Sequence, residues 1–302
     1  MSSMLSNRVQ KVKPSATMAV SDKAKELKSQ GIQIVSMGSG EPDFDTPTNI
    51  QKAAIKAIGN GETRYTAADG TPELKKAICE KFKRENGLDY SLNEVMVSCG
   101  GKQVFYNLCQ AILNSGDEVI IPTPYWVSYP DMAILADATP VFIEAGLDQD
   151  FKISPEQLEE SITANTKLLV LNSPSNPTGS VYSKSEIEAL GTVLEKHPHV
   201  LIISDDIYEH IRWGDDAFVN IAMACPNLKN RIIILNGVSK AYAMTGWRLG
   251  YGAGPKELIK EISKIQSQST THTSSISQAA AIEALNNSSE FINKNKKIFQ
   301  ER

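Results

Sequence analysis

Lys167-Leu168-Leu169-Val170-Leu171-Asn172-Ser173-Pro174-Ser175-Asn176-Pro177-Thr178-Gly179 is the stretch whose reading decides the fold class. Side chains in a strand alternate between its two faces. An unbroken apolar run such as Leu168–Leu171 therefore cannot leave one face in water. A strand that is apolar on both sides needs helices on both sides, which marks a mainly parallel sheet. The Asn-, Pro- and Gly-rich tail then stops the strand in a turn. Leu201-Ile202-Ile203 and Ile232-Ile233-Ile234-Leu235 repeat the pattern.

Outward from these runs, strands are expected over 94–98, 118–121, 140–143, 167–172, 200–204, 231–236 and 249–253. Amphipathic stretches between them predict helices over 102–113, 127–135, 155–162, 185–195 and 256–267. This alternation is an α/β fold, a mainly parallel sheet of about seven strands covered by helices on both faces. Ahead of it lie a helix over 21–29, a short strand over 34–37, and a helix over 48–58 with Pro47 in its first turn. Behind it, helical patterns run over 277–285 and 290–300.

The composition is that of an ordinary globular chain: 302 residues, 41% hydrophobic, 22% charged. A formal net charge of -4 argues against a general nucleic-acid or anionic-membrane surface. Cys79, Cys99, Cys109 and Cys225 have no CxxC spacing and suit a reducing compartment, with Cys79 and Cys109 expected in the core. His197 and His199 flank Pro198, which is not metal-ligand spacing on a helix, and no metal site is expected. No apolar run reaches transmembrane length, and 1–18 lacks the apolar segment of a secretory signal, so the cytoplasm is the default location.

The chemistry-bearing residues fall at strand C-termini, where open α/β sheets bind ligands. Gly100-Gly101-Lys102 follows the first strand and opens a helix. Asn172 to Gly179, Asp205-Asp206-Ile207-Tyr208 and Gly237 to Lys240 follow three others. Each has a plain alternative when taken singly. Asn-Pro-Thr-Gly makes a good turn, Asp205 or Asp206 could cap a helix, and Trp126 could be packing. Gly-Gly before a helix is a common anion-binding geometry.

Lys240 is the sharpest of these. Gly237, Ser239, Gly246 and Gly250 surround it with room for close approach to the backbone, and Arg248 follows. A lysine that forms a Schiff base must lose its proton, which needs desolvation or a neighbouring cation. Arg248 can supply that field and can also hold a phosphate.

The stretch Gly237-Val238-Ser239-Lys240-Ala241-Tyr242-Ala243-Met244-Thr245-Gly246-Trp247-Arg248-Leu249-Gly250, taken with the other loops, resembles the class I aminotransferases of fold type I, close to their bacterial aspartate aminotransferase branch. The likeness runs from Arg8-Val9-Gln10 to Gln266–Thr271. It implies a pyridoxal phosphate cofactor, an amino acid and a 2-oxo acid as substrates, ping-pong kinetics, and a homodimer with shared sites. Lys240 would carry the cofactor as a Schiff base and, once released, shuttle a proton. The family's Asp-x-x-Tyr spacing selects Asp205 to pair with the ring nitrogen. Tyr208 and Asn176 would bond the ring oxygen and Trp126 would stack on the ring. Gly100, Gly101, Ser239 and Arg248 would cradle the phosphate, with Tyr65 reaching it from a second subunit. Gly40 would meet the substrate carboxylate through its backbone, joined in substrate binding by Trp126 and Asn176. Lys102 would pair with a distal carboxylate, the alternative being a plain helix-start lysine.

The resemblance also implies residues 1–46 as an N-terminal arm and the first part of a small, partial α+β domain, 47–285 as a large cofactor-binding domain, and 286–302 as the start of a helix leading back to the small domain. Family members continue past Arg302 and carry there a second arginine for the α-carboxylate. The chain is therefore expected to be C-terminally truncated and to turn over slowly. Three other readings compete. A dinucleotide-binding dehydrogenase fails because Asp43 and Glu257 stand where a third glycine is needed. The same fold and cofactor could serve elimination, decarboxylation, cyclisation or aromatic and prephenate transamination, since the chemistry is the cofactor's. A non-catalytic domain that binds pyridoxal phosphate is the third.

Overall fold

The computed structural model describes residues 4–14, 16–35, 38, 40–214 and 216–302. The strands are β1 (Val95–Ser98), β2 (Glu118–Thr123), β3 (Thr139–Glu144), β4 (Thr166–Asn172), β5 (Leu201–Asp205), β6 (Ile232–Gly237) and β7 (Gly250–Ala253). They form one sheet in the order β1-β7-β6-β5-β4-β2-β3, in which only β7 runs against the rest. The helices are α1 (Asn7–Lys11), α2 (Ala16–Ser29), α3 (Thr48–Gly59), α4 (Pro72–Lys81), α5 (Gly101–Ile112), α6 (Ser128–Leu135), α7 (Pro155–Ser161), α8 (Lys184–Lys196), α9 (Ile221–Ala224), α10 (Lys256–Ser267), α11 (Ser275–Asn287) and α12 (Ser289–Glu301).

The doubly apolar strands do what their pattern requires. On β6, Ile232 and Ile234 enter a core shared with α3, α4, α8 and α11, while Ile233 and Leu235 enter a second core with α5, α6 and α10. On β4, Leu169 and Leu171 face the first core, Leu168 and Val170 the second. Each such side chain contributes about 1.5–3 kcal/mol by leaving water. With both faces apolar, face alternation cannot set the register. The polar strand ends do: Asn172 lies opposite Asp205, and both stop at the same edge of the sheet.

All seven expected strands and the helices of the α/β block are present, with ends shifted by a residue or two. Three readings need correction. Ile34 and Val35 have no regular structure, and Ser36 and Met37, the rest of that expected strand, lie outside the described residues. Pro47 is the N-cap of α3 rather than part of its first turn. The helix expected over 21–29 begins at Ala16. The sequence reading also passed over α4, although Thr71 caps it through its side chain and Pro72 stands in its first turn.

All four cysteines are free; Cys109 and Cys225 are buried, Cys79 and Cys99 partly so. No helix among the described residues is long and apolar enough to cross a membrane.

Candidate active site

The C-terminal ends of β1, β4, β5 and β6 and the turn before α6 surround a cavity of about 190 Å³. Lys240 enters it from the loop after β6. Its Nζ donates to the Gly40 carbonyl at 2.6 Å and lies 5.8 Å from the centre of the Tyr208 ring. Burial, helped by the Arg248 charge, lowers the proton affinity of this amine, while Glu41 and Asp205 hold it up.

Asp205, the last residue of β5, reaches the same cavity and is fully buried. The Tyr129 hydroxyl donates to its Oδ2 at 2.6 Å and the Ile207 N–H to its Oδ1 at 3.2 Å. Burial raises its carboxyl to about 6, against the pull of those hydrogen bonds and of Lys240. Asp206 points elsewhere and does not line the cavity. Ser204 donates to it at 2.7 Å and Asn220 at 2.5 Å, and Asn220 caps α9. One carboxylate faces the cavity; its neighbour is absorbed into the framework.

Asn176 and Tyr208 complete that end of the cavity, and Trp126 borders it. Asn172 fixes Asn176: its Nδ2 donates to the Asp205 carbonyl at 2.9 Å and its Oδ1 accepts from the Asn176 N–H at 2.7 Å. Lys102 lies in the cavity with its ammonium 5.0 Å from the Trp126 ring centre, a cation–π distance. Burial and then Arg248 lower its proton affinity.

At the opposite end α5 begins. Gly100 is its N-cap, with φ +89°, and Gly101 opens the helix, so the first turn, with its orphan N–H groups, borders the cavity. Arg248 (φ 54°) turns back over them, its Nη1 donating to the Thr245 carbonyl at 2.9 Å. A Cβ on Gly100 would come within 2.5 Å of the Arg248 Nη2, and one on Gly250 within 2.3 Å of the Gly101 nitrogen. These two glycines keep the guanidinium and the helix start close together.

The structure thus brings Lys240, Asp205, Tyr208, Asn176, Trp126, Lys102, Gly101, Ser239 and Arg248 to one cavity, with Gly100 and Gly40 at its wall. Tyr65 is not among its lining residues; it is 91% exposed, edge-on to His272 at 5.6 Å. The sequence reading did not single out Tyr129, Asn172, Ile207 or Thr245, which also line it. Tyr129 had a signal, since it stands one helical turn after Trp126 and meets it edge-on at 5.2 Å.

Residues 32–302 match the family model for aminotransferase class I and II. The chain belongs to that family. It is 59% identical over 282 residues to the aspartate/prephenate aminotransferase of Nitrosomonas europaea, covering 93% of this chain and 71% of the relative. It is 57% identical over 300 residues to a probable aspartate/prephenate aminotransferase of Rickettsia felis, covering 99% and 73%. The aspartate aminotransferase structure from Rhizobium meliloti superposes with a TM-score of 0.96 at 49% identity, covering 98% of this chain and 74% of that one. The Thermus thermophilus aspartate aminotransferase solved with maleate does so with 0.93 at 46%, covering 98% and 76%. The chain spans about three quarters of the length of these relatives.

This is therefore an aminotransferase by family, and amino-group transfer is its reaction. Membership implies pyridoxal phosphate, and the donor set of the cavity fits that group. A helix N-terminus with Ser239 and Arg248 suits a phosphate dianion. Asp205, costly to ionise where it stands, suits a protonated ring nitrogen. The amine of Lys240, eased toward neutrality, suits a carbonyl carbon.

Proposed function

We propose that this aminotransferase binds pyridoxal phosphate around Lys240 and moves an amino group between a dicarboxylic amino acid, aspartate or glutamate, and a 2-oxo acid. The observation that carries the reading is that Lys240, with lowered proton affinity, and Asp205, a buried carboxylate lacking a full counter-charge, open to one cavity. When bound, the cofactor supplies an electron sink that lets the substrate α-carbon release its proton. Lys240 would hold the cofactor through its Nζ and, as a free amine, would carry the proton between donor and acceptor carbons. Asp205 accepts the ring N–H, a charge-assisted bond worth about 1.5–3 kcal/mol, and Tyr129 holds the carboxylate in line. Tyr208 and Asn176 would bind the ring oxygen, and Trp126 would stack on the ring. Gly100, Gly101, Ser239 and Arg248 take the phosphate. Gly40 offers its backbone to the substrate carboxylate.

Lys102 supports the dicarboxylate preference, since it lines the cavity with its ammonium over the Trp126 ring. The names of the relatives point the same way: aspartate and prephenate both carry two carboxylates, and the Thermus protein was solved with maleate. A second copy of the chain is part of the proposal. Tyr65 is nearly fully exposed, and Ile55 and Ile58 on α3 are 67% and 54% exposed. Residues 47–285 as the cofactor-binding domain and the cytoplasm as location complete the reading, the latter supported by four free thiols. Borohydride reduction of the cofactor-loaded protein followed by peptide mapping tests it. The pyridoxyl group is expected on Lys240; finding it on another lysine refutes the assignment.

A further inference from the structure

Behind the cavity lies a fully buried lysine that the reaction does not use. Lys81, at the end of α4, has a fully buried side chain and bonds the Glu209 carboxylate. Its Nζ also donates to Asn86 Oδ1 at 2.9 Å, and Asn86 Nδ2 donates to Glu209 Oε2 at 3.0 Å. Residues Phe82–Asn86 form a π-helical turn. That wider turn brings Lys81 and Asn86, five apart in sequence, to the same carboxylate, where α-helical spacing would separate them. Glu85, Glu209 and His210 offer three potential metal-ligand atoms within 4.8 Å of one another, but the Lys81 ammonium already sits against both carboxylates.

Glu209 immediately follows Tyr208, and its Oε1 also accepts from Asn236 Nδ2 at 2.8 Å. Asn236 lies on β6 and accepts the Gly237 N–H at 2.7 Å, at the point where the strand gives way to the loop bearing Ser239 and Lys240. None of Lys81, Asn86, Glu209 and Asn236 lines the cavity. We propose that Glu209, clamped by Lys81 and Asn86, is a positioning residue for amino transfer: its carboxylate ties the turn carrying Asp205 and Tyr208 to the strand end carrying Lys240. The clamp keeps Lys240 packed against Tyr208 and away from water. It rests on the reading of Lys240 as the working amine.

Two variants of the full chain test it. Glu209→Gln keeps the shape but sets an amide nitrogen against donors on Lys81, Asn86 or Asn236. Asn236→Leu leaves the Lys81–Glu209 pair intact and cuts its link to β6, together with the bond Asn236 accepts from the Gly237 N–H. The readout is the rate of Lys240 labelling by an amine-reactive reagent against pH in cofactor-free protein, followed by peptide mapping, with pyridoxal phosphate affinity and unfolding midpoint measured alongside. Both variants are expected to raise the labelling midpoint of Lys240 by about one pH unit, a tenfold loss of reactivity at fixed pH below the midpoint. Both should also bind pyridoxal phosphate about tenfold more weakly. A lower unfolding midpoint with an unchanged Lys240 labelling curve, in either variant that folds, makes the clamp merely structural and overturns the proposal. The labelling arm needs no cofactor, so a parent chain that fails to bind pyridoxal phosphate would defeat the proposed function without deciding this one.

Discussion

Two lysines, the buried Lys81 and the half-buried Lys240, stand on either side of the Asp205–Glu209 turn and are treated in opposite ways. Lys81 meets a carboxylate directly, and the same carboxylate is saturated by two asparagine amides. Despite its burial, Glu209 is held below the usual carboxylate range by the charge of Lys81 and His210 and by those bonds. Among the described residues, Lys240 has the Gly40 carbonyl alone as hydrogen-bond partner, and the nearby Asp205 is spent on Tyr129 and a backbone N–H instead. A buried ion pair that is fully bonded is inert framework. A half-buried amine and a buried acid left without their full counter-charges are primed to receive a ligand that supplies them.

Removing Lys240 should do the most damage. Lys240→Ala deletes the amine that handles the proton, and kcat for aspartate with 2-oxoglutarate should fall about ten-thousandfold or more. A fall under a hundredfold would mean another base serves. Lys81→Ala should leave the chemistry's own groups in place but strand Glu209 as an uncompensated buried charge. A loss of about 3–5 kcal/mol in denaturant unfolding is expected; an unchanged midpoint would erase the contrast between the two lysines.

Asp205→Asn sharpens the comparison by sign. The folded carboxyl titrates at about 6, above the ordinary 3.8. Its contribution to stability is therefore fully present below about pH 4 and lost as pH rises through 6. In cofactor-free protein, the asparagine variant should match the parent near pH 4 and exceed it above pH 7 by on the order of 3 kcal/mol. It should at the same time lose transaminase activity. Parity at both pH values would show that Asp205 carries no burial penalty. The smallest effect belongs to Lys102→Ala: about 1.5–3 kcal/mol lost in kcat/KM for aspartate and glutamate, with alanine spared. Equal losses for all donors would make Lys102 a structural helix-start residue.

The local pattern was enough to place every strand of the sheet, because an apolar run between turn residues has few other readings. It was also enough to bring the loops after β1, β4, β5 and β6 to one edge, since parallel strands stop on the same side. The choice between Asp205 and Asp206 came from the resemblance and its spacing; the hydrogen bonds of Ser204 and Asn220 show where the second carboxylate goes. Helix α4 was missed although its cap and proline were visible, because Lys75, Lys76 and Lys81 blur its apolar face.

What the chain order alone determined is the alternation of strands and helices and the identity of the groups gathered at the sheet edge. Only the tertiary structure decided which of those groups are paired. Tyr129 reaches Asp205 across 76 positions of sequence, and Lys81 reaches Glu209 across 128. Contacts of that span leave no periodicity to read. Whether a buried charge is quenched or left waiting depends on those contacts, because in a low-dielectric interior the nearest partner sets the energy of the charge.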